Sequence, residues 1–207
     1  MYPKLVDPTN KLLNHIVVGL LSLILVVVFQ VFGGGIHRAV AAASFTLLFL
    51  VLIIGPIMRL WRPNLQMLPW GLPWSWRGEL GIWFTLLSII HGILEMQEKE
   101  WSVAAIDIGG FISLIVLFWA LILAATSFSK AIKFLGIDQW KWLHSFAYVI
   151  FYLVVVHIIY YTWLHPTGHT GPAWLSWMYL TMIIIVVVLQ FAAFIRTVVD
   201  YRHARTS

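Results

Sequence analysis

Cysteine is absent from the 207 residues, which excludes structural disulfides, thiolate-held iron–sulfur clusters and the C-x-x-C-H attachment of a c-type haem. Charge is scarce too: Asp, Glu, Lys and Arg make up 10% of the chain, where a soluble domain carries about a quarter. Internal repeats, low-complexity tracts and domain boundaries are also missing, so residues 1–207 read as a single domain. At about 30–35 residues per span with its loop, the length is used up by six transmembrane helices. No room remains for a soluble domain that holds NADPH or flavin. What is plentiful is apolar surface: 61% of residues are hydrophobic, with 12 Trp and 13 Phe, and the mean hydropathy is +0.92. This is a bilayer protein with the aromatic load of membrane interfaces. Its net charge of +5 is explained by loop charge bias and does not point to nucleic acid.

Six apolar stretches fall at about 14–32, 39–58, 79–96, 105–126, 143–164 and 174–196, each near the roughly 20 residues that cross a hydrocarbon core. The first follows Lys4 and Lys11 and lacks an A-x-A-like cleavage site, so it reads as a retained helix. Gly33-Gly34-Gly35 separates it from the second. One side of the bundle collects Lys4, Lys11, Arg59, Arg62, Arg77, Lys130, Lys133, Lys141, Arg196, Arg202 and Arg205, whereas the other has only Arg38 and Lys99. Under the positive-inside rule both termini are cytoplasmic. The expected fold is an all-α integral membrane protein, a six-helix transmembrane bundle.

Eight histidines are present, and depth separates them. His15, His37, His165, His169 and His203 sit in tails, loops or helix ends, where an imidazole needs no special reason. His91 lies about 12 residues inside the third span, or about 18 Å deep, and His157 about 14 residues into the fifth, or about 21 Å. These spans run in one direction, so both imidazoles reach the outer half of the bilayer. Polar groups at that depth cost several kcal/mol unless paired, about 2–4 or more each. Two neutral imidazoles at matched depth on different helices can clamp a haem iron from both faces, and Gly92 would ease the approach of a flat macrocycle. The alternative is two helix-packing histidines, each bonded to Ser, Thr or a backbone carbonyl. His144 opens the fifth span near the cytoplasmic face, about 20 Å from His157, and 13 residues rotate it about 140° away. A shared inner face then needs a local bulge, or the two histidines serve differently placed groups. Arg77 occupies the same level in the third span, within about 40° of the His91 face. Its guanidinium suits a haem propionate, a flavin phosphate or a quinone oxygen.

These residues also carry a resemblance. Gly55-Pro56-Ile57-Met58-Arg59 closes span two, and Arg77-Gly78-Glu79-Leu80-Gly81-Ile82-Trp83 opens span three. His91, Ala125-Thr126-Ser127, Trp140-Lys141-Trp142-Leu143-His144, Tyr148 and His157 follow. Over about residues 40–165 the chain resembles the ferric reductase-like transmembrane domain family. In size and layout it is most like the haem-binding membrane subunit of the bacterial periplasmic methionine-sulfoxide reductase system. The resemblance implies that His91 and His157 are axial ligands of one b-type haem near the outer face, and that His144 is the inner histidine of the fifth span. In two-haem members that residue pairs with a histidine at a level held here by Arg77 and Gly78. The bacterial subunits carry an arginine pair where this chain has Arg77-Gly78, and a basic residue where it has Ser145.

The function expected is electron relay in a bacterial inner membrane. Electrons from quinol or a separate flavin reductase enter on the cytoplasmic side and leave to an outer acceptor, a periplasmic reductase or a ferric ion. A quinone or flavin at the cytoplasmic level and a second haem at His144 remain open. On the outer side, Glu95, Glu98 and Glu100 with His165 and His169 offer ligands suited to ferric or cupric ions, or are ordinary loop polarity. Trp70, Trp74 and Trp76 read as an interfacial belt. The competing readings are a quinone-binding anchor subunit without its own haem and a small-solute transporter. The transporter reading lacks paired broken helices and mid-membrane charges, apart from the Gly110 region.

Overall fold

A computed structural model describes residues 11–33, 35–61, 74–102, 106–164 and 172–206. Helix is the regular structure throughout the described residues, and six helices are long and apolar enough to cross a membrane. The chain is therefore an integral membrane protein. In chain order the elements are α1 (Lys11–Gly33), α2 (Ile36–Trp61), a 3-10 turn (Trp74–Trp76), α3 (Arg77–Glu98), α4 (Ile108–Ala125), the short α5 (Ser129–Leu135), α6 (Ile137–His144), α7 (Ala147–Ile159), a π-helical turn (Tyr160–Leu164) and α8 (Ala173–Thr206). Lys4, Arg62, Trp70, His165 and His169 lie outside the described residues, as does the Trp74 side chain.

The middle of the bundle is α2. Of its most apolar window 72% is buried, against 11% to 22% for the other five spans. Small residues make this possible: Ala39, Ala42, Ala43 and Ser44 are all buried, so neighbouring backbones approach closely on several sides. Around α2 lie α1, α3 and α8, with a lighter touch from α7. The chain then continues from α3 onto α4 and from α4 onto α7. Helices α2, α3, α4 and α7 thus form a ring in which α3 and α7 stand at opposite corners. Lipid replaces water on the outside, where Leu20, Leu23, Val188 and Phe191 are exposed.

With no water in the hydrocarbon, polar side chains inside the ring bond across it or back to their own helix. The Ser44 and Ser88 hydroxyls meet at 2.8 Å between α2 and α3, and Thr85 Oγ1 donates to the Ala120 carbonyl of α4 at 3.3 Å. Interhelical bonds of this kind contribute about 0.6 kcal/mol each.

The six expected spans are present, and the fifth differs most. It runs from Ile137 to Leu164 rather than from residue 143, because Gly136 (φ +79°) stops α5 and lets a new helix start at once. It is also interrupted. The Phe146 amide bonds the Leu143 carbonyl and the Tyr148 amide bonds the Ser145 carbonyl, both at 3.1 Å. These i→i−3 bonds tighten the backbone between α6 and α7. A π-helical turn then ends the span. The tightened turn between α6 and α7 lies inside the 13-residue step from His144 to His157 and changes its rotation.

The π turn packs its aromatic rings on α4. A Cβ added at Gly109 would stand 2.5 Å from the Tyr161 ring and 2.7 Å from that of Tyr160, so only glycine fits without a shift. Gly109→Ala is expected to destabilise the protein by about 1–3 kcal/mol, read as a lowered denaturation midpoint in detergent. An unchanged midpoint would show that the α4–π contact is looser than described.

Candidate functional site

His157 is held by α4 from the side. Its Nδ1 lies 3.1 Å from the Gly109 carbonyl and 2.8 Å from Ser113 Oγ, whose own hydroxyl donates to Gly109 at 3.1 Å. A carbonyl only accepts, so the imidazole proton sits on Nδ1 and Nε2 keeps a bare lone pair. The Tyr161 ring packs edge-on against the imidazole with centroids 4.9 Å apart. Tyr161 in turn donates its hydroxyl to Asp107 Oδ1 at 2.5 Å, and the same carboxylate oxygen accepts the Gly110 amide at 2.8 Å. Asp107 is thus the N-cap of α4 and the far end of a chain that fixes His157.

His91 is treated differently. Its Nδ1 is buried with no hydrogen-bond partner. The residue lines a cavity of about 220 Å³ together with His37, Glu95, Glu98, Tyr161 and Tyr179. His157 is outside that lining, yet it lies within electrostatic reach of His91 across the ring. A Cβ built on Gly92 meets nothing within 4 Å, so the α3 backbone is open beside His91. His157 bonds a serine and a carbonyl, as a packing histidine would, but through Nδ1 alone. His91 meets the His37 backbone, while its Nδ1 has no hydrogen-bond partner.

His144 ends α6 and is bound to the other end of α4. The Thr126 hydroxyl donates to the Ile122 carbonyl at 2.8 Å, so His144 Nε2, 3.2 Å away, donates to Thr126 Oγ1. Trp140 packs on the imidazole with its ring tilted by 32° and centroids 4.3 Å apart, and gives its indole N–H to the Thr126 carbonyl at 3.0 Å, which satisfies a carbonyl at the helix C-terminus. Arg77 joins this level from α3. It lies within electrostatic reach of His144, Arg59 and Tyr148. A Cβ on Gly55 would stand 3.5 Å from Arg77 Nη1 and 3.7 Å from Tyr148 Oη. Arg77 makes no ion pair among the described residues.

The structure therefore separates the four candidate residues into two levels, His91 with His157 and His144 with Arg77. At the first level it adds Ser113, Asp107 and Tyr161, and His37 at the cavity. The Asp107-Ile-Gly-Gly start of α4 is legible as an N-cap before an apolar run; the Tyr161 partnership is not, because it depends on the π turn. On the acidic side of the bundle, His37 joins Glu95 and Glu98, while Glu100 is exposed at a left-handed turn (φ +51°). Trp76 packs on the core rather than facing an interface freely. No protein-family model, curated protein or solved structure matches the chain.

Burial pushes the Asp107 carboxyl up, but the Tyr161 hydroxyl and the Gly110 amide outweigh it and hold the group below its ordinary 3.8. A carboxyl with a lowered folded pKa contributes stability that is complete above the unfolded value and lost as pH falls through the folded one. Thermal midpoints should therefore drop below about pH 4, and Asp107→Asn should lose less over the same window than the wild type. Parallel acid limbs for the two proteins would contradict this coupling.

Proposed function

We propose that the chain is a b-type haem electron-transfer protein, taking electrons from a donor on the cytoplasmic side and passing them to an acceptor on the outer face. The observation that carries this reading is the hydrogen bond from His157 Nδ1 to the Gly109 carbonyl. Metal-ligating histidines are oriented by such a bond at the other ring nitrogen, which fixes the tautomer and raises ligand basicity. His157 is prepared in this way inside a membrane span, and His91, on the opposite corner helix, has a buried Nδ1 left unmet. The open α3 backbone at Gly92 leaves room for a flat group beside His91. His91 and His157 would hold the haem, which would supply a ferric/ferrous one-electron couple.

His144 supports a single haem rather than two, because its Nε2 is spent on Thr126. With Arg77, Arg59 and Tyr148 it forms a basic, polar level on the side that carries most of the Lys and Arg. By the positive-inside rule that side is cytoplasmic. A quinol oxygen or a flavin phosphate finds donors there, which is where this reading puts the electron donor, in a bacterial inner membrane. The resemblance of residues 40–165 to ferric reductase-like transmembrane domains supports the same assignment.

The test is the absorption spectrum of purified protein, oxidised and reduced, with haem quantified per chain. A low-spin b-type spectrum at one haem per chain is expected. It should be lost in His91→Ala and in His157→Ala and kept in His144→Ala. Two haems per chain would overturn the single-haem reading, and a protein that stays colourless when supplied with haem would leave the quinone-anchor or transporter alternatives.

A further inference from the structure

His37 follows the first residue of α2, and Glu95 and Glu98 close α3. These helices are antiparallel neighbours, so the start of one meets the end of the other. One ligand atom from each of the three residues lies within 4.8 Å of the others, and His37 Nε2 already stands 3.1 Å from Glu98 Oε1. All three line the cavity that reaches His91. Two imidazole nitrogens there lack partners, His37 Nδ1 and His91 Nδ1, both buried. Unmet polar atoms in a small cavity beside two carboxylates point to a polar occupant.

We infer that His37, Glu95 and Glu98 bind one divalent first-row transition ion at the outer mouth of this cavity. One imidazole and two carboxylates suit Zn²⁺, Mn²⁺ or Fe²⁺ better than a soft monovalent ion. Tetrahedral ligands at about 2.1 Å from one ion stand about 3.4 Å apart, so the set closes on a metal with side-chain shifts of about an ångström. The ion takes the place of the proton shared between His37 and Glu98. Three protein ligands leave a position for water, and a water in this cavity gives the unmet His91 Nδ1 a partner. Arg38 also lines the cavity, but its guanidinium donates to the Gly33 carbonyl at 3.4 Å rather than pairing with either glutamate. Occupancy would pin the outer ends of α2 and α3 together. The inference does not rest on the haem assignment, since none of its ligands is a proposed haem ligand.

The experiment is calorimetric titration of the full-length, tag-free, chelator-washed protein with Zn²⁺, repeated with Co²⁺ to read the ligand field. Haem content is measured separately. One saturable site per chain is expected. Outer-shell changes at metal sites already cost about 10–100-fold in affinity, so His37→Ala and Glu98→Gln should each lose at least about 100-fold. Glu100→Gln, outside the cluster, should bind as the wild type does. His37 and Glu98 are not in the buried core, so helical content and elution volume should be unchanged and report folding. Absence of stoichiometric binding in the wild type would overturn the assignment, and so would binding that survives both substitutions.

Discussion

Inside hydrocarbon a polar group has only the protein to bond with, and that constraint organises this bundle. Ser22, Thr46 and Ser113 return their hydroxyls to carbonyls one turn back on their own helices. Ser44 with Ser88 joins α2 to α3, and Thr85 divides its hydroxyl between Gly81 on its own helix and Ala120 of α4. Against this background the unmet atoms stand out. Only four buried side-chain polar atoms among the described residues lack a partner: His37 Nδ1, Trp83 Nε1, His91 Nδ1 and Gln190 Nε2. Two of the four are imidazoles on one cavity.

α4 is the frame on which the fifth crossing is oriented. Its first turn holds His157 through Gly109 and Ser113, and its C-cap holds His144 and Trp140 through Thr126. Gly109 and Thr126 are 17 residues apart, about 25 Å along an ideal helix, so one straight element sets both levels. The two histidines use opposite nitrogens against it, Nδ1 for His157 and Nε2 for His144. The tightened turn before α7 makes this possible. It rephases a crossing that an unbroken helix would present with the two imidazoles about 140° apart.

The six spans were legible from apolar runs, because hydropathy is a local quantity. Asp107 before the apolar run of α4 carries a capping signal that the span reading passed over. Three features were not legible. The breaks at residues 145–146 and 160–164 carry no glycine or proline signal, and the second accompanies the packing of Tyr160 and Tyr161 on Gly109. Which nitrogen of His157 is free depends on a neighbour 48 residues away. His37 looks unremarkable at a helix start; only the antiparallel pairing of α2 with α3 places it beside Glu95 and Glu98.

The central claim is that two imidazoles, one prepared by the Gly109 carbonyl, converge on one iron. Pulsed electron paramagnetic resonance of the oxidised protein, prepared with and without ¹⁵N-histidine, reads it directly. The account predicts hyperfine couplings from two histidine nitrogens on one low-spin ferric centre, both altered by the ¹⁵N label. A centre coupled to a single histidine, or to none, would contradict it.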